Sequence, residues 1–493
     1  MTTLPKIKQQ NQTLFIYAYR GYSMRYILCT DIIKVLQEKI SRIVIFVRDE
    51  DAEYFSKLYS GQNIIIEPVH FREARKQITR NALVTSLRLL RTFTSGRNDT
   101  LINYTDNLNK IQFKKEWSVG WGKYIFKLAC FASFFTSRSI TLRKLISLSN
   151  KLLLSGKIYD PYFEKYKPNA LLIASIGYGI DDLMMSSARR NNCTIISIPY
   201  SWDNSSTEGY RGGTPDLVIT WTPRMKKEIE VFHDIPESSV IVGGVAHWDS
   251  YFNKSYRPNN KLKFFEGKSL DPNKALLLYT LSAPRHLKHR FKIINMMLDV
   301  ISSGHILSDA QLLVRFHPSD LYQRPDGTLA IEDNNDDIKY LESTYGNLVK
   351  FWVPNSPHMD GDGQLSMKDM YEMADAINHS DIIIQEYSTL IMETAVFDKP
   401  VINVSMHDWE QNLPITSSFG TRTHLRHILS FDSCITVESQ NEFCDAANTY
   451  LENPAFKHRN RMNLLDTDLN THRGNAGLKI GQIITDYIAY NNN

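Results

Sequence analysis

The sequence predicts an α/β protein with two domains, each built around a parallel β-sheet. Short apolar runs alternate with segments of helical spacing along most of the 493 residues, as in β-α-β units. The runs are apolar throughout, which is typical of parallel strands covered on both faces. A chain of this length has room for two domains, and the polar stretch over residues 255–263 is the best linker candidate. We therefore predict a first domain over residues 1–255, a second over 264–470 and a final helix over 471–493.

The composition is that of a globular protein, with 42% hydrophobic and 22% charged residues. The five cysteines are scattered and contain no CxxC pair. They therefore indicate neither a zinc ribbon nor a disulfide scaffold, and a reducing cytoplasm is the expected compartment. The first twelve residues contain no apolar signal core, and no apolar run reaches about 18 residues, so neither secretion nor a spanning helix is expected.

The first part of the chain predicts three strands joined by helices. The strands are expected at Thr13–Ala18, Arg42–Val47 and Asn63–Glu67. A helix is expected over Ser23–Lys39. The loop Tyr19–Ser23 follows the first strand at its carboxyl end, where open α/β sheets bind ligands. Both a role in holding an acceptor and a plain connecting turn remain open for this loop.

Residues 71–157 show no strand pattern and predict a helical insertion with a positive charge. Residues 1–160 carry 26 Lys and Arg against 12 Asp and Glu, which leaves 31 against 41 for the remainder. The stretch Gly120–Phe135 mixes aromatic and basic residues, and three further cations follow it, Arg138, Arg143 and Lys144. Two interpretations stay open: an amphipathic element at an anionic membrane surface, or an insertion with a solvated basic face. Nucleic acid is not expected, because no recognition motif is present.

The α/β pattern then resumes and completes the first domain. The expected strands are Asn169–Ser175, Thr194–Ile198, Asp216–Trp221 and Ser239–Gly243. The turn Gly177-Tyr178-Gly179 falls short of a GxGxxG fingerprint and is weak support for a dinucleotide site. Asp181 and Asp182 open the next helix. The loop Pro199–Gly209 is rich in turn-forming residues and contains Asp203.

The second domain places polar residues directly after its buried strands. Ser282 and Arg285 follow the strand Ala275–Thr280, and the strand Gln311–Phe316 carries Arg315 and leads into a polar loop, His317 to Asp320. Guanidinium and imidazole groups at strand ends can bind phosphate or stabilise a leaving group. The alternative is an ordinary surface charge and a loop hydrogen bond. One more strand is expected at Leu348–Val353.

The segment Asp381–Val404 shows the clearest local pattern of the chain. Ile382–Ile384 predicts a buried strand, Ser388 an N-cap, Thr389–Phe397 a helix and Val401–Val404 a second strand. A helix that starts with two hydroxyl residues suits an anionic phosphate, although Ser and Thr also begin many helices that bind nothing.

Several stretches are similar to one enzyme family. The run YSTLIMETAVFDKPVIN resembles the nucleotide-diphosphate site of GT-B-fold glycosyltransferases that build bacterial surface polysaccharides, and of the related CDP-glycerol glycerophosphotransferases. The SWDN loop at 201–204, the phrase GGVAHWD ending at Asp249 and the RxHP match at 315–318 resemble the same family. The resemblance implies a GT-B fold, in which two Rossmann-like domains face each other across a cleft, the first binding the acceptor and the second the nucleotide sugar.

The resemblance also implies roles for individual residues of the second domain. Ser388 and Thr389 would bind phosphate, and Glu393 would bind ribose. The donor would further be contacted by strand-end residues and by backbone near the base, namely Ser282, Arg285, Arg315, His317 and Val353.

The implied activity is transfer of a sugar from a nucleotide-activated donor to a surface-polysaccharide or lipid-linked glycan acceptor. The implied location is the cytoplasm, with peripheral association at the inner membrane face. His317 would assist the leaving group, and the candidates for a general base are Asp203, Asp181 and Asp182. The string Asp360-Gly361-Asp362 is interpreted as a polar loop, so no metal is expected. No cofactor is expected besides the donor substrate. The nucleotide of the donor, UDP, GDP, CDP or CMP, is left open. A CDP-polyol phosphotransferase and a non-catalytic nucleotide- or glycan-binding subunit remain alternatives.

Overall fold

The computed structural model of the protein describes residues 12–59, 61–80, 82–94, 120–207, 209–212, 215–284, 289–324, 326–354, 367–406 and 423–491. Internal contacts divide the chain into two units. The first unit contains the residues up to Asp249 together with those from Thr471 onwards, and the second runs from Ser250 to Asn470. The predicted linker over residues 255–263 therefore falls in the second unit.

The strands of the described residues form two parallel sheets, one in each unit. The strands of the first unit are β1 Thr13–Tyr17, β2 Arg42–Val47, β3 Ile64–Pro68, β4 Ala170–Ile173, β5 Thr194–Ser197, β6 Leu217–Thr220 and β7 Val240–Val242. Those of the second unit are β8 Ala275–Thr280, β9 Ala310–Arg315, β10 Val349–Trp352, β11 Ile382–Gln385, β12 Val401–Val404 and β13 Ile435–Val437.

The α-helices pack around these sheets. In the first unit the described helices are α1 Gly21–Leu28, α2 Asp31–Lys39, α3 Ala52–Leu58, α4 Phe71–Arg80, α5 Ala82–Phe93, α6 Gly122–Arg138, α7 Ile140–Leu153, α8 Asp160–Tyr166, α9 Asp181–Arg190, α10 Asn204–Thr207, α11 Pro223–His233 and α12 Asp249–Phe252, whose first residue alone belongs to this unit. In the second they are α13 Lys261–Gly267, α14 Arg290–Ser302, α15 Asn335–Tyr345, α16 Met367–His379, α17 Leu390–Val396, α18 Thr423–Leu429, α19 Gln440–Glu452 and α20 His458–Asp468. The last helix, α21 Ala476–Asn491, belongs to the first unit.

The sheet of the first unit has the strand order β3-β2-β1-β4-β5-β6-β7, and its described pairings are parallel. Every residue of β1 and β4 is buried, as expected for central strands covered by helices on both faces. Successive strands are added on one side of the sheet from β1 to β3 and on the other side from β4 to β7. The carboxyl ends of β1 and β4 therefore form a topological switch point.

The sheet of the second unit follows the same plan, in the order β10-β9-β8-β11-β12-β13. Central β8 pairs with β9 on one side and with β11 on the other, in parallel throughout. The switch point of this unit thus lies at the carboxyl ends of β8 and β11. Both units have the order 3-2-1-4-5-6 that defines Rossmann-like sheets, extended by one strand in the first unit.

The helix predicted over Ser23–Lys39 is two helices, α1 and α2. The chain leaves α1 at Cys29, and Thr30 adopts an extended conformation with its hydroxyl accepting the Ile32 N–H at 3.4 Å. Threonine is a good N-cap because its short side chain reaches the unpaired amides of the first turn. The apolar spacing continues across the break, so periodicity alone does not reveal it.

The predicted insertion is helical in its described part, and α4, α5, α6 and α7 make up most of it. Residues 95–119 of this segment lie outside the described residues. Ala129 of α6 packs with Leu89 and Phe93 of α5. Ala74 and Ile78 of α4 and Val84 of α5 belong to the core around the sheet, which attaches the insertion to the first unit. None of the helices in the described ranges is long and apolar enough to cross a membrane.

Helix α21 packs on α2, although more than 400 residues of sequence separate them. Ile480, Ile484 and Ile488 are buried on its inner face. Asp249 accepts the N–H groups of Ala476 and Gly477 at 2.9 and 2.7 Å, so one carboxylate caps the start of the helix.

Candidate active site

The switch point of the second unit brings Ser282 against the end of β11. The Ser282 amide donates to Glu386 Oε2 at 3.1 Å, and its hydroxyl donates to the Glu386 carbonyl oxygen at 3.3 Å. Tyr387, Ser388 and Thr389 follow directly in the chain. Ser282 and the Ser388–Thr389 pair therefore share the region in which open α/β sheets bind ligands.

The turn after β11 has a fixed conformation. Tyr387 has a φ of 46°, in the left-handed region that few residues other than glycine adopt. Its amide donates to Asn403 Oδ1 at 2.7 Å, and the Ser388 amide donates to Gln385 Oε1 at 3.1 Å. Ser388 Oγ accepts the Leu390 N–H at 3.3 Å. Side chains of the sheet thus hold the turn, and three of its amides are already engaged.

Thr389 offers both its amide and its hydroxyl to a ligand, whereas Ser388 offers only its hydroxyl hydrogen. Thr389 is half-buried and, in place of the predicted Ser388, is the N-cap of α17. Its side chain makes no capping bond, and its amide and hydroxyl donate to none of the described residues. A phosphate oxygen next to Thr389 could accept from both groups, as phosphates do at the starts of helices.

Glu386 is a buried carboxyl group beside this turn. The Tyr279 hydroxyl and the Ser282 amide donate to its two oxygens. Burial nevertheless raises the pKa of Glu386 to about 8, since the hydrogen bond from Ser282 only partly opposes desolvation. At neutral pH the group is therefore mostly protonated and adds little negative charge to the place where an anion would bind.

A buried ion pair connects the start of α14 to the loop after β9. Arg290 donates to Asp320 through Nη1 at 2.9 Å and Nη2 at 2.8 Å, and neither side chain is more than 4% exposed. Arg290 Nη1 also donates to the Ser282 carbonyl oxygen at 3.2 Å, and the His317 amide donates to Asp320 Oδ2 at 3.0 Å. The pair thereby fixes Ser282 and His317 relative to each other.

His317 begins a short 3-10 turn and is half-buried. Its Nδ1 accepts the Ser319 N–H at 3.0 Å and lies 2.7 Å from the Ser319 hydroxyl. An imidazole nitrogen that accepts an N–H carries no proton, so the neutral ring bears its proton on Nε2. The side chain is therefore a hydrogen-bond donor at Nε2.

Arg315 is held by an ion pair within the second unit. Its Nη2 donates to both carboxylate oxygens of Asp369, at 2.9 and 3.0 Å, and its guanidinium carbon lies 4.8 Å from the centre of the Trp352 ring. A donor pyrophosphate would have to share Arg315 with Asp369. Lys268 stands 4.0 Å from the same Trp352 ring, and burial lowers the pKa of its ammonium group.

The remaining predicted donor contacts are less well defined. Glu393 is half-buried on α17, and its Oε1 accepts the Tyr251 hydroxyl at 2.8 Å. Val353 is 43% exposed just after β10. Arg285 and the Asp360-Gly361-Asp362 string lie outside the described residues.

A second cluster lies at the switch point of the first unit. Arg20 Nη1 donates to Asp181 Oδ2 at 3.3 Å, and the Ser175 hydroxyl donates to the same oxygen at 2.5 Å. The Arg20 guanidinium carbon is 4.9 to 5.6 Å from the centres of three aromatic rings, those of Tyr19, Tyr178 and Tyr200. Burial raises the pKa of Asp181 against the opposing effect of Arg20, which gives a carboxyl group suited to proton transfer.

The glycines of the Gly177-Tyr178-Gly179 turn allow this close packing. Their φ angles are 96° and 69°, which disfavour side chains with a Cβ. A Cβ at Gly179 would stand 3.1 Å from Arg20 Nη2. The turn thus supports Arg20, and it is not a dinucleotide fingerprint.

The two other candidate bases have local roles. Asp182 Oδ2 accepts from Arg91 Nη1 at 2.8 Å in a pair that is almost fully buried and ties α9 to α5. Asp203 accepts the Ser201 hydroxyl at 2.5 Å and the Thr207 hydroxyl through its carbonyl at 3.0 Å, at the start of α10. Of the three carboxylates, Asp181 is the one that lies at a switch point.

Sequence reasoning missed Arg290, Glu386 and the importance of Arg20. Arg20 and Glu386 each follow closely on a buried strand, which is a local signal that could have identified them. Arg290 has no such signal, because its partner Asp320 is thirty residues away.

No protein-family model matches the chain. No curated protein matches it. Solved structures do match over nearly the whole chain. The S. aureus MnaA–UDP co-structure is 11% identical with a TM-score of 0.51, and the alignment covers 97% of each chain. A glycosyltransferase from Rickettsia africae is 12% identical with a TM-score of 0.51, covering 97% of this chain and 99% of the other.

A UDP-GlcNAc 2-epimerase from Neisseria meningitidis, bound to UDP-GlcNAc, is 12% identical with a TM-score of 0.50, over 97% of this chain and 100% of the other. Likeness at these identities establishes the fold alone. The strand orders and these matches together confirm the predicted fold class: the chain is an α/β protein of GT-B type with two Rossmann-like parallel-sheet domains.

Proposed function

We propose that the protein is a glycosyltransferase that moves a sugar from a nucleotide-activated donor to a surface-polysaccharide or lipid-linked glycan acceptor. The observation that carries the proposal is the fixed turn at the switch point of the second unit. There Ser282 is hydrogen-bonded to Glu386, three residues before Thr389, and a buried ion pair ties Ser282 to His317. Such a group of donors suits a diphosphate.

A uridine diphosphate donor is favoured within the proposal. Two of the matched structures contain UDP or UDP-GlcNAc, as their titles state. Thr389 and Ser388 would bind the phosphates and Glu393 the ribose, with Tyr251 orienting the Glu393 carboxylate through its hydroxyl. Arg285, Arg315 and backbone near Val353 remain proposed contacts of the pyrophosphate and the base.

Sugar transfer requires stabilisation of the departing nucleoside diphosphate. Its negative charge grows as the glycosidic bond breaks, so donors that contact it act more strongly in the transition state than in the ground state. His317 would donate from Nε2, and Thr389 from its amide and hydroxyl. Neutral Glu386 would avoid repelling the charge. These groups supply stabilisation of the kind that a divalent metal gives in other enzymes.

The acceptor hydroxyl requires a base if the reaction inverts configuration. We assign that role to Asp181, because Asp182 is paired with Arg91 and Asp203 belongs to a local turn. Arg20 would hold Asp181 in place.

Nucleotide binding tests the site directly. We expect UDP to raise the melting temperature more than GDP, CDP, CMP or dTDP, since a ligand stabilises the folded state in proportion to its affinity. Thr389→Val removes one hydrogen bond to a charged group and should weaken UDP binding about tenfold by calorimetry. Thr344→Val, at an exposed threonine of α15 in the same unit, is the matched control and should bind normally.

Several outcomes would contradict the proposal. Equal UDP affinity of Thr389→Val and Thr344→Val would contradict the assignment of Thr389 to a phosphate site. Consumption of a UDP-sugar without acceptor, giving an epimer, would exclude transfer. A preference for CDP with turnover of a CDP-polyol would favour the phosphotransferase alternative. Tight nucleotide binding with no turnover in the presence of glycan acceptors would favour a binding subunit.

A further inference from the structure

Helix α6 presents large apolar side chains to solvent. Trp121, just before the helix, and Tyr124, Leu128, Phe131 and Phe135 recur at helical spacing and are 48% to 81% exposed. Residues spaced three and four apart lie on one face of a helix. The opposite face of α6 packs through Ala129 on α5, so this stripe points away from the unit's core.

Helix α7 follows α6 after the single residue Ser139 and shows the same arrangement. Leu142, Leu145, Leu148 and Leu152 are 37% to 76% exposed. The two helices pack on each other and on α5. Neighbouring stripes of nine large apolar side chains exceed the scattered exposure that is ordinary on protein surfaces.

Polar contacts hold α7 on its inner side. Arg143 is buried and donates to Asp234 through Nε at 2.7 Å and Nη2 at 3.0 Å. Ser147 donates to the Gly212 carbonyl oxygen at 3.0 Å, and Asn150 is buried. The inner side of the helix therefore combines these polar residues with Ile146, while four of its leucines lie on the outer side. The outward leucines are exposed and contribute little to the core. Burial of their apolar surface therefore requires a partner outside the unit.

The segment that contains both stripes carries charge of one sign. No Asp or Glu occurs from residue 117 to residue 159. Six cations of this segment are exposed, and none is paired with a carboxylate among the described residues: Lys123, Lys127, Arg138, Lys144, Lys151 and Lys157. An apolar face surrounded by cations is complementary to a bilayer of anionic lipid, with acyl chains below and phosphates at the rim.

We propose that the outer face of α6 and α7 docks on an anionic lipid bilayer, with its apolar stripes roughly 5–10 Å into the boundary between headgroups and acyl chains. Lysine dominates the rim, whereas protein interfaces are depleted in lysine. Trp121 and Tyr124 stand together at one end of α6, and such residues favour the headgroup level of membranes. The proposal does not depend on the sugar-transfer activity, because lipid binding needs neither donor nor acceptor.

Vesicle sedimentation of the full chain tests the apolar stripes. We expect the protein to bind vesicles of phosphatidylethanolamine with about 30% phosphatidylglycerol, and to bind pure phosphatidylcholine weakly. Leu128→Ser, Phe131→Ser and Leu145→Ser together should lower partitioning of the protein into the vesicles at least about tenfold, because each removes apolar area that the lipid would bury. The control is Leu262→Ser, Leu307→Ser and Tyr340→Ser, at equally exposed positions of the second unit, which should leave binding unchanged.

A charge-reversed variant tests the contribution of the exposed cations beside the apolar stripes. Lys127→Glu, Lys144→Glu and Lys151→Glu should weaken binding to the anionic vesicles, whereas Lys263→Glu, Lys339→Glu and Lys368→Glu, exposed in the second unit, should not. Arg143 is left unchanged because its loss would break a buried ion pair. An unchanged melting temperature shows that each variant is folded.

Three results would overturn the proposal. One is a wild-type protein that ignores both kinds of vesicle. Another is a lipid-free dimer that the serine variant dissociates, which would assign the face to a second copy of the chain. The third is cross-linking of Leu128→Cys to residues 95–119, which would show that the chain covers its own stripe.

Discussion

Glu386 is a carboxyl group that the second unit keeps largely neutral at pH 7. It lies between the Tyr279 hydroxyl and the Ser282 amide and is buried. Burial disfavours the charged form, and its pKa rises to about 8. The folded protein therefore holds this proton over a pH range in which the unfolded chain has already released it.

This difference makes stability depend on pH. A pKa that is higher in the folded state contributes stability that is complete below the unfolded value, near pH 4.5, and is lost as the pH rises through about 8. Glu386→Gln keeps one of the two acceptor oxygens and removes the titration. We expect the free energy of unfolding of wild type to fall relative to that of Glu386→Gln between about pH 5 and pH 9, by on the order of a few kcal/mol. The melting temperature of wild type should fall accordingly over the same range.

The control for this measurement is Glu342→Gln, at an exposed glutamate of α15. Its melting curve should follow that of wild type at every pH. Parallel curves for Glu386→Gln and wild type would show that the carboxyl group does not titrate over this range.

Single residues show where sequence reasoning reaches its limit. The strand-end positions of Ser282, His317 and Ser388 follow from local patterns. The burial of Arg143, which the sequence presents as part of a basic face, depends on Asp234, ninety-one residues away. A pattern of nearby residues cannot identify a partner that only folding brings close.

At the scale of elements, the contact between α2 and α21 is made possible by a glycine. A Cβ added at Gly481 would stand 2.6 Å from the Val35 Cβ. Real Cβ atoms do not approach so closely, so the helix axes would have to separate. Gly481 thus sets the distance between two helices from opposite ends of the chain.

Gly481→Ala should destabilise the first unit by about 1–3 kcal/mol, even though alanine is the better helix former. Denaturant unfolding followed by circular dichroism measures the effect. Gly267→Ala is the control, because Gly267 lies in α13 with open space around it. Adding Val35→Ala should recover part of the loss. A neutral Gly481→Ala would show that the two helices can move apart freely.

Most strands could be predicted, because each is a short run of mainly apolar residues, which suffices as a local signal. The exception is β13, which has three residues and was missed. The break between α1 and α2 was missed for the opposite reason, since Thr30 interrupts the backbone while the apolar spacing continues. The strand-end positions of the candidate residues could be predicted from the sequence, whereas the ion pairs and the αL turn among them depend on contacts that only folding creates.

At the scale of the molecule, the first unit is assembled from two distant parts of the sequence. Its sheet lies before Asp249, and its last helix comes after the whole of the second unit. Ile480, Ile484 and Ile488 are no more than 2% exposed, and burying each side chain contributes roughly 1.5–3 kcal/mol. The second unit has no comparable dependence on a remote segment of the described chain.

Removal of residues 471–493 should therefore weaken the first unit by several kcal/mol and spare the second. Hydrogen exchange can follow the two units separately. Amides of α2 should lose protection in the shortened protein, while amides of β11 should keep theirs. Full protection of α2 without the last helix would show that α21 is dispensable.

The return of α21 to the first unit also sets the order of folding on the ribosome. Domains usually fold from the amino terminus onwards as they emerge during synthesis. Here the second unit is fully translated before α21 exists, so the half of the protein that is made first is the half that is finished last. Until then α2 exposes the apolar surface that α21 later covers, and chaperones have a defined target on the nascent chain.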